Sequence, residues 1–334
     1  MKKCLIILLF AFVSCNEAID NLAFQEFQNF IKKYHKKYES INDYLERFEV
    51  FKRNLISILS EKDKLSYKIG ITKFSDLTRK EFKKNYSNDK PMNLANFDAY
   101  IPNKEPKDYP ESFDWRDRGV DVPSDRNQGP CGDGWAFITQ TNLGCLYYLN
   151  KNQWKTFSTQ MLIDCDPYDT GCSGGLMEYA YTFLQQNGGI NYEEDYPYEG
   201  MQGECREDPS KYSDMKVTGY ILIGGKDLTW TCGDEEEMKE VLYDNAPLAA
   251  LVNSDPLLTY TEGIIDLPSD ECPSSEIDLA VLIIGYGSSD GIDYWTVENF
   301  WGSMWGENGY FRISRGKGTC GINCYAITGL VSFD

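Results

Sequence analysis

The sequence divides into a helical part and a strand-rich part, and this division limits the possible folds more than any other feature. Up to about residue 187, apolar residues recur at helical spacing and predict helices over 135–149, 161–165 and 176–186. From about Val217 onward, short apolar or β-branched runs separated by glycine predict strands at 220–224, 248–252, 280–284, 293–297 and 309–313. This order predicts an α+β fold with two lobes and a cleft between them.

Residues 1–15 have the features of a secretory signal peptide. Two lysines precede an apolar run, 4–13, that is too short to span a bilayer, and Val13-Ser14-Cys15 offers small residues for cleavage. The alternative, a buried N-terminal helix, fits the charged flank less well. We therefore expect a protein that is secreted or delivered to a lysosome-like acidic compartment, with no membrane partner.

The next segment, 16–107, is predicted to be helical at first and extended at its end. Residues 20–85 carry two aromatic stripes at helical spacing, which core packing explains, and Asp76 is placed to cap a following helix. Residues 88–107 are rich in Asn, Pro, Lys and Asp, which is typical of a linker. Asn85 begins a glycosylation sequon, a pattern of low specificity. We call 16–107 the N-terminal segment and 108–334 the body.

Charge is distributed unevenly between these two parts. The N-terminal segment has a net charge of +4, whereas the body has −25. An acidic body argues against nucleic acid or anionic lipid as partners. The charge is explained by solubility or adaptation to an acidic compartment, or by docking of the basic N-terminal segment on the acidic body. These explanations are compatible with each other.

Cysteine and histidine counts limit the available chemistry. The chain has 11 cysteines, and loss of Cys4 and Cys15 with the signal would leave an odd number, so at least one thiol is unpaired or intermolecular. No cysteine or histidine group has metal-ligand spacing, and neither a metal nor another cofactor is expected. The one histidine, His35, lies in the N-terminal segment. The body therefore has no imidazole for acid–base catalysis.

Several groups of residues form short motifs in a definite order along the chain. In the N-terminal segment they are Arg47, Phe51, Asn54 and Ile58, then Gly70, Thr72, Phe74 and Asp76. In the body they are Gln128-Gly129 with Cys131-Gly132 and Trp135-Ala136-Phe137, Asp164-Cys165, Gly171-Cys172 with Gly174-Gly175, Asp195-Tyr196-Pro197-Tyr198, Tyr294-Trp295, Asn299 with Trp301-Gly302, and Trp305-Gly306 with Gly309-Tyr310. These groups resemble the motifs of the papain/cathepsin L family of cysteine proteases. Each motif is moderately specific, and their order makes coincidence a poor explanation.

The resemblance implies a papain-like two-lobe fold, with a helical left lobe and a β-barrel-like right lobe preceded by a helical, inhibitor-type propeptide. The implied domains are a signal peptide (1–15), a propeptide with its linker (16–107) and a peptidase-like domain (108–334). It also implies three disulfides and leaves three cysteines over, of which we expect Cys324 to be simply buried. The implied pairs are Cys131–Cys172, Cys165–Cys205 and Cys272–Cys320, and Cys145, Cys232 and Cys324 remain.

The resemblance also locates the catalytic positions, and both reactive side chains are missing. Gly134 stands where the family has its nucleophilic cysteine, and Leu279 stands where it has its histidine. Three supporting residues are retained: Gln128 of the oxyanion hole, Asn299, which would orient the imidazole, and Trp301. We therefore expect an inactive homologue rather than an enzyme.

Other groups are poor replacements for the missing pair. Asp133 and Asp278 neighbour the lost nucleophile and the lost base, but a carboxylate dyad would need both side chains to point into the cleft. Cys131 is an unsuitable nucleophile because its implied disulfide removes the thiol. Sequencing errors would have to strike both catalytic positions.

The substrate cleft is expected to survive in part. Gly174 and Gly175 could pair with an extended peptide through backbone hydrogen bonds. Bulky residues at Leu251 and Tyr325 predict that the apolar pocket is shallow or closed. The implied pocket lining is Leu176, Met177, Leu251, Ala280 and Tyr325.

Three functions are compatible with these residues. The first is a secreted, monomeric pseudoprotease that binds a peptide or protein partner, such as an active papain-like protease, without cutting it. The second is an inhibitor whose N-terminal segment blocks active cathepsin L-like relatives. The third is a structural or storage protein, which needs only the disulfide framework.

Overall fold

The structure, a computed structural model, describes residues 2–86, 107–120, 131–224 and 231–333, with side chains from Ala18 onward. Two long helices precede the body: α1 (Lys2–Tyr34), which begins ahead of the N-terminal segment and extends into it, and α2 (Ile41–Glu61). Ser40 caps α2 by accepting a hydrogen bond from the Asp43 amide. Within the described residues, no helix is long and apolar enough to cross a membrane.

Helices α1 and α2 pack against each other through an aromatic core of their own. Phe27 and Phe51 have ring centroids 5.1 Å apart, and Ala23, Phe30 and Leu55 are buried beside them. This cluster is separate from the main core of the body. The aromatic stripes of the sequence therefore are packing residues, as expected.

A short third helix, α3 (Arg79–Tyr86), follows and begins differently from our expectation. Thr78 caps it: the Glu81 amide donates to Thr78 Oγ1, and the Thr78 amide donates back to the Glu81 carboxylate. The prediction that Asp76 is the cap was wrong. Asp76 instead accepts hydrogen bonds from Lys36 Nζ at 2.7 Å and Tyr38 Oη at 3.1 Å, because it lies two residues too early for the helix.

The helical lobe of the body is built around one long buried helix. This helix, α4 (Gly134–Lys151), is buried from Gly134 to Tyr147 and packs on the sheet and on two shorter helices. Those are α5 (Thr159–Cys165) and α6 (Met177–Asn187). All three correspond to helices predicted from sequence, and α6 ends at Gly188, whose positive φ of 83° suits a glycine.

The second lobe is an eight-stranded sheet. The strands are β2 (Phe113–Asp114), β3 (Met215–Gly224), β4 (Leu248–Val252), β6 (Ile264–Ile265), β7 (Leu279–Ser289), β8 (Ile292–Glu298), β9 (Tyr310–Ser314) and β10 (Tyr325–Phe333). Their order is β3-β10-β4-β7-β8-β9-β6, with β2 paired to β7. The pairings are antiparallel except for β6 with β9. The α+β class predicted from sequence is confirmed.

A small separate sheet joins the N-terminal segment to the body. Strand β1 (Lys68–Ile69) pairs antiparallel with β5 (Tyr260–Glu262), and the Gly70 amide donates to the Thr259 carbonyl at 2.8 Å. Backbone hydrogen bonds thus fix the position of the N-terminal segment on the body. Most of the predicted linker, 88–106, lies outside the described residues.

Four disulfides cross-link the body. Three are the pairs that the resemblance implies: Cys131–Cys172, Cys165–Cys205 and Cys272–Cys320. The fourth joins Cys232 to Cys324, so the expectation that Cys324 is simply buried was incomplete: it is buried and bonded. The odd cysteine is Cys145, which is free and fully buried in α4.

Candidate catalytic cleft

The cleft is bordered on the helical side by the first turn of α4. Gly134 is the first residue of this helix and is buried, so a side chain here would stand at the positive end of a long helix dipole. That location stabilises a thiolate when the residue is cysteine. Glycine leaves the location without a reactive atom.

Asp133, the residue before Gly134, is fully buried. Its Oδ2 accepts a hydrogen bond of 2.6 Å from the Tyr198 hydroxyl, and its Oδ1 has no hydrogen-bond partner among the described residues. Burial raises the pKa of the Asp133 carboxyl to about 7, although the Tyr198 hydrogen bond opposes this shift. The side chain therefore faces Tyr198 and does not cap α4.

On the sheet side, Leu279 begins β7 and is 2% exposed. It pairs in register with Val252 of β4, and the next residue, Ala280, pairs with Leu251. An apolar side chain at this position joins the core of the sheet. Leu279 offers no group that can accept or donate a proton.

Asp278, beside Leu279, is occupied by other partners. Its carboxylate accepts hydrogen bonds from the Ser254 amide at 2.8 Å and the Ser254 hydroxyl at 3.1 Å, and it pairs with Lys83 of α3 at 3.3 Å. Burial raises its pKa, with Ser254 and Lys83 acting in the opposite direction. Asp133 and Asp278 thus have different partners, which gives a carboxylate dyad no support.

Asn299 follows β8 and has an incompletely satisfied side chain. Its side-chain Oδ1 accepts a hydrogen bond from the Phe300 backbone amide at 2.8 Å, and its backbone amide donates to the Gly309 carbonyl. Its Nδ2 is buried and has no acceptor among the described residues. A buried donor without an acceptor is costly, and an imidazolium, which has only N–H donors, is not a group that would satisfy it.

The N-terminal segment covers Trp301 with an aromatic cluster. The ring centroids of Phe74 and Phe82 lie 4.8 and 5.4 Å from that of Trp301, both in edge-to-face geometry, and Tyr86 packs alongside. Lys73 Nζ donates to the Trp301 carbonyl at 2.8 Å, and burial lowers the pKa of Lys73 to about 8. This side of the cleft is closed by the chain itself.

Two positions of the predicted peptide-binding segment require glycine, Gly174 for its backbone conformation and Gly175 for close packing. Gly174 has a φ of 106°, and its carbonyl accepts hydrogen bonds from the amide and hydroxyl of Thr170. A Cβ on Gly175 would lie 2.6 Å from Asp169 Cγ and 2.7 Å from the Trp135 ring, so no larger residue fits. Burial and the negative charge of the neighbouring Asp166 raise the pKa of Asp169.

The predicted pocket lining is tightly packed. All five of its residues are at most 3% exposed, and the Tyr325 hydroxyl accepts a hydrogen bond of 3.0 Å from the Glu178 amide. Burial raises the pKa of the Glu178 carboxyl to about 7. The lining residues are Leu176, Met177, Leu251, Ala280 and Tyr325.

Two predicted site residues stand apart from this cleft geometry. Gln128 lies outside the described residues. Asn85 is half-exposed near the end of α3, and its glycosylation stays a prediction.

Sequence profiles of known families match both parts of the chain. The profile described as papain family cysteine protease matches residues 109–330, and that described as cathepsin propeptide inhibitor domain matches 27–82. The chain belongs to the papain family of cysteine proteases. The exact limits of the signal peptide, propeptide and body stay predictions.

Papain-family relatives resemble the chain over nearly its full length. The viral cathepsin of Epiphyas postvittana nucleopolyhedrovirus is 35% identical over 317 residues, 93% of each chain. Cysteine proteinase 1 of Dictyostelium discoideum is 33% identical and covers 92% of each. The structure of procathepsin L2 from Tenebrio molitor larval midgut superposes with a TM-score of 0.82 at 33% identity, covering 92% of this chain and 99% of that one. The papain-like fold with an N-terminal helical propeptide region is thereby confirmed.

The cathepsin-like propeptide and the disulfides of this papain-family chain indicate a secreted or lysosomal protein. Sequence reasoning did not find the buried Asp133–Tyr198 pair or the contact of Lys83 with Asp278. Both involve residues far apart in sequence. The only available signals were the carboxylates beside Gly134 and Leu279 and the opposite charges of the two parts of the chain.

Proposed function

We propose that this protein is a non-catalytic member of the papain family that binds a peptide or protein without cleaving it. The observation that carries the proposal is Gly134 at the first residue of α4, where the chemistry needs a thiolate. Leu279, buried at the start of β7, supports it from the opposite side.

The absence of histidine from the body supports the same proposal without any alignment. His35, the one histidine, follows α1 in the N-terminal segment and is exposed. A papain-type reaction requires an imidazole beside the thiolate, first as base and then as acid for the leaving amine. The body has no imidazole, and residue 134 carries no thiol.

The segment that would bind a peptide keeps its geometry. The close approach of Asp169 and Trp135 to Gly175 leaves room for glycine alone, and this residue is partly exposed, whereas the carbonyl of the buried Gly174 is already taken by Thr170. The filled pocket disfavours a bulky apolar side chain beside it. We infer that a partner would be recognised chiefly through its backbone and its charge.

Restoring the two reactive groups tests whether their loss explains the inactivity. The double variant Gly134→Cys with Leu279→His, freed of the N-terminal segment by an added protease that is then inhibited, should hydrolyse a dipeptide fluorogenic substrate. We expect at least about a hundredfold more turnover than Gly134→Cys alone, which is the lower range of what a general base contributes. The unaltered protein should show none.

The control is Gly134→Cys alone, which supplies a thiol at the same position without its base. Stoichiometric reaction of the unaltered protein with a cysteine-directed epoxide at the cleft, or thiol-dependent turnover, would contradict the proposal. A folded double variant that stays inert would mean that the filled pocket, rather than the missing groups alone, prevents catalysis.

A further inference from the structure

A cavity of about 250 Å³ lies between the N-terminal segment and the body, away from the cleft. Its apolar walls come from both parts: Ile58 of α2 and Tyr67 on one side, Pro256 and Leu267 on the other. Ile58, Tyr67 and Pro256 are buried, so the walls are well packed. Because each part supplies half of the lining, the cavity exists only while the two parts are docked.

The backbone contacts beside the cavity fix its shape. Strands β1 and β5 pair directly next to it, and the Thr72 hydroxyl donates to the Leu258 carbonyl at 2.6 Å. The Tyr67 ring also packs on that of Tyr260, with centroids 6.0 Å apart. The two halves are therefore held in place independently of any ligand, as in a preformed binding site.

The rim of the cavity is acidic, and one of its carboxylates is unpaired. Asp255 is paired with Arg79 and Lys83, and Glu61 with Lys64 at 3.0 Å. Glu271, in contrast, has no side-chain hydrogen bond or ion pair among the described residues. Burial and the negative charge of Glu271 together raise the pKa of Tyr67 to about 12. Glu271 thus contributes a negative charge at the rim that no cation among the described residues pairs with.

We propose that this cavity binds a small hydrophobic cation, namely a primary amine with an aryl or alkyl group. The apolar group occupies the space between Ile58 and Leu267, and the ammonium pairs with Glu271. The volume suits one ring with a short chain, since a cavity of about 150 Å³ holds benzene. An anion would be repelled by the rim, and a metal ion would lack the several oxygen ligands that it needs.

Such a ligand would stabilise the uncleaved protein. It binds only when the N-terminal segment is docked, so by linkage it favours the docked state over any state in which the two parts separate. The site does not involve the catalytic cleft. Its existence is independent of whether the cleft binds a peptide.

The test uses the uncleaved protein and 2-phenylethylamine, with 2-phenylethanol as the neutral analogue of equal shape. Calorimetric titration should show saturable binding of the amine with one site, at least about tenfold tighter than that of the alcohol. Glu271→Gln should reduce amine affinity to that of the alcohol. Asp270→Asn, which removes a neighbouring exposed acid outside the cavity, should leave amine affinity unchanged.

Three results would overturn the proposal: no saturable binding of the amine, equal affinity for amine and alcohol, or equal loss of affinity in both variants. Because Glu271 is exposed, its substitution leaves the core intact. Melting temperatures of the two variants without ligand check that both remain folded. None of these residues lines the cleft, so failure here would leave the proposal of a non-catalytic binding protein as it stands.

Discussion

At the scale of single residues, Asp133 makes the stability of the body depend on pH. The carboxyl is buried with one oxygen unpaired, and its pKa is raised from 3.8 to about 7. The folded protein therefore keeps this proton at pH values where the unfolded chain has lost it. The free energy of unfolding falls as pH rises from about 4 to about 7, and the contribution is constant above that range.

Replacing Asp133 by asparagine should remove this dependence. Asparagine keeps an oxygen to accept the Tyr198 hydroxyl but cannot ionise. At pH 8 we expect Asp133→Asn to be more stable than the unaltered body by about 2–4 kcal/mol, and at pH 4 to differ by less than about 1 kcal/mol. Urea unfolding across this pH range measures the difference.

An exposed acid provides the control for Asp133. Asp270→Asn removes one carboxylate from the surface, and its stability curve should run parallel to that of the unaltered protein. Identical pH dependence in Asp133→Asn and the unaltered protein would show that the Asp133 carboxyl ionises as freely as an exposed one. Glu178, whose pKa is raised in the same direction, is present in all three proteins and does not affect the comparison.

Sequence reasoning at this scale depended on residue identity. The motifs predict that Gly134 and Leu279 stand at the catalytic positions because neighbouring motif residues locate them, and neither residue type carries a reactive group. The states of Asp133 and Asn299 could not be predicted in this way. Each depends on which atoms surround it in space, and those atoms belong to distant segments such as Tyr198.

At the scale of elements, α3 holds the N-terminal segment against the cleft by two kinds of contact. Phe82 packs on Trp301, while Arg79 and Lys83 face the carboxylates of Asp255 and Asp278. The Arg79 side chain is 63% exposed, so its pair is largely screened by water. The Lys83 contacts are more protected and should contribute more.

Removing both charges should loosen α3 without unfolding the body. For Arg79→Gln with Lys83→Gln we expect amide hydrogen exchange in 79–86 to accelerate about fivefold at low salt, because ion pairs of this exposure together contribute about 1 kcal/mol. The difference should shrink at high salt as the charges are screened. Exchange measured by mass spectrometry, peptide by peptide, gives the result.

Lys80 offers a matched control on the same helix. It is exposed and has no ion pair among the described residues, so Lys80→Gln should leave exchange in α3 unchanged. If the double variant exchanges as slowly as Lys80→Gln at low salt, the aromatic contacts alone hold α3. The charge contrast between the two parts of the chain would then serve solubility rather than docking.

The elements that were missed show where periodicity is a weak guide. Helix α7 (Glu235–Asp244) lies in the strand-rich part and was not predicted, although Asp234 caps it and three acidic residues fill its first turn. Strand β10 was also not predicted: its first half is buried on both faces, so it lacks the alternation that marks a half-exposed strand. By contrast, α4 and α6 are long and well bounded, and their predictions were close.

At the scale of the whole molecule, the order of the motifs predicts the two-lobe fold. The residues through which the N-terminal segment contacts the body are known from the structure alone. The opposite net charges suggested an association but gave no position for it. Its position is fixed by the pairing of β1 with β5, two short strands without a sequence pattern of their own. The cavity beside them was equally invisible, because its walls are separated by about two hundred residues.

The whole molecule should be unable to remove its own N-terminal segment. With neither a nucleophile at 134 nor a histidine in the body, we expect the purified protein to keep its intact mass during incubation at pH 4–5 with a mild reductant. Intact-mass spectrometry over time measures this. The variant Gly134→Cys with Leu279→His is the matched comparison and should shorten slowly under the same conditions.

Contaminating proteases are the main confounding factor in that experiment. Inhibitors of the serine, aspartic and metalloprotease classes remove their contribution, and no cysteine-directed inhibitor is added because it would also block the Gly134→Cys with Leu279→His variant. Continued shortening of the unaltered protein at a rate independent of its concentration would show that it cuts itself. The uncleaved form would otherwise be the one that persists until another protease acts on it.

The oxidation states of the cysteines in the body bear on whether this protein can persist in an oxidising environment. An active papain-type enzyme must keep one exposed thiolate reduced, and such a group is open to sulfenic acid formation and to capture by small disulfides. Here eight of the nine cysteines from Cys131 onward are joined in pairs, and the ninth, Cys145, is fully buried with its pKa raised by burial. Without an exposed thiol among these nine cysteines, the body has no group there that needs a reductant, and we expect it to persist in an oxidising fluid.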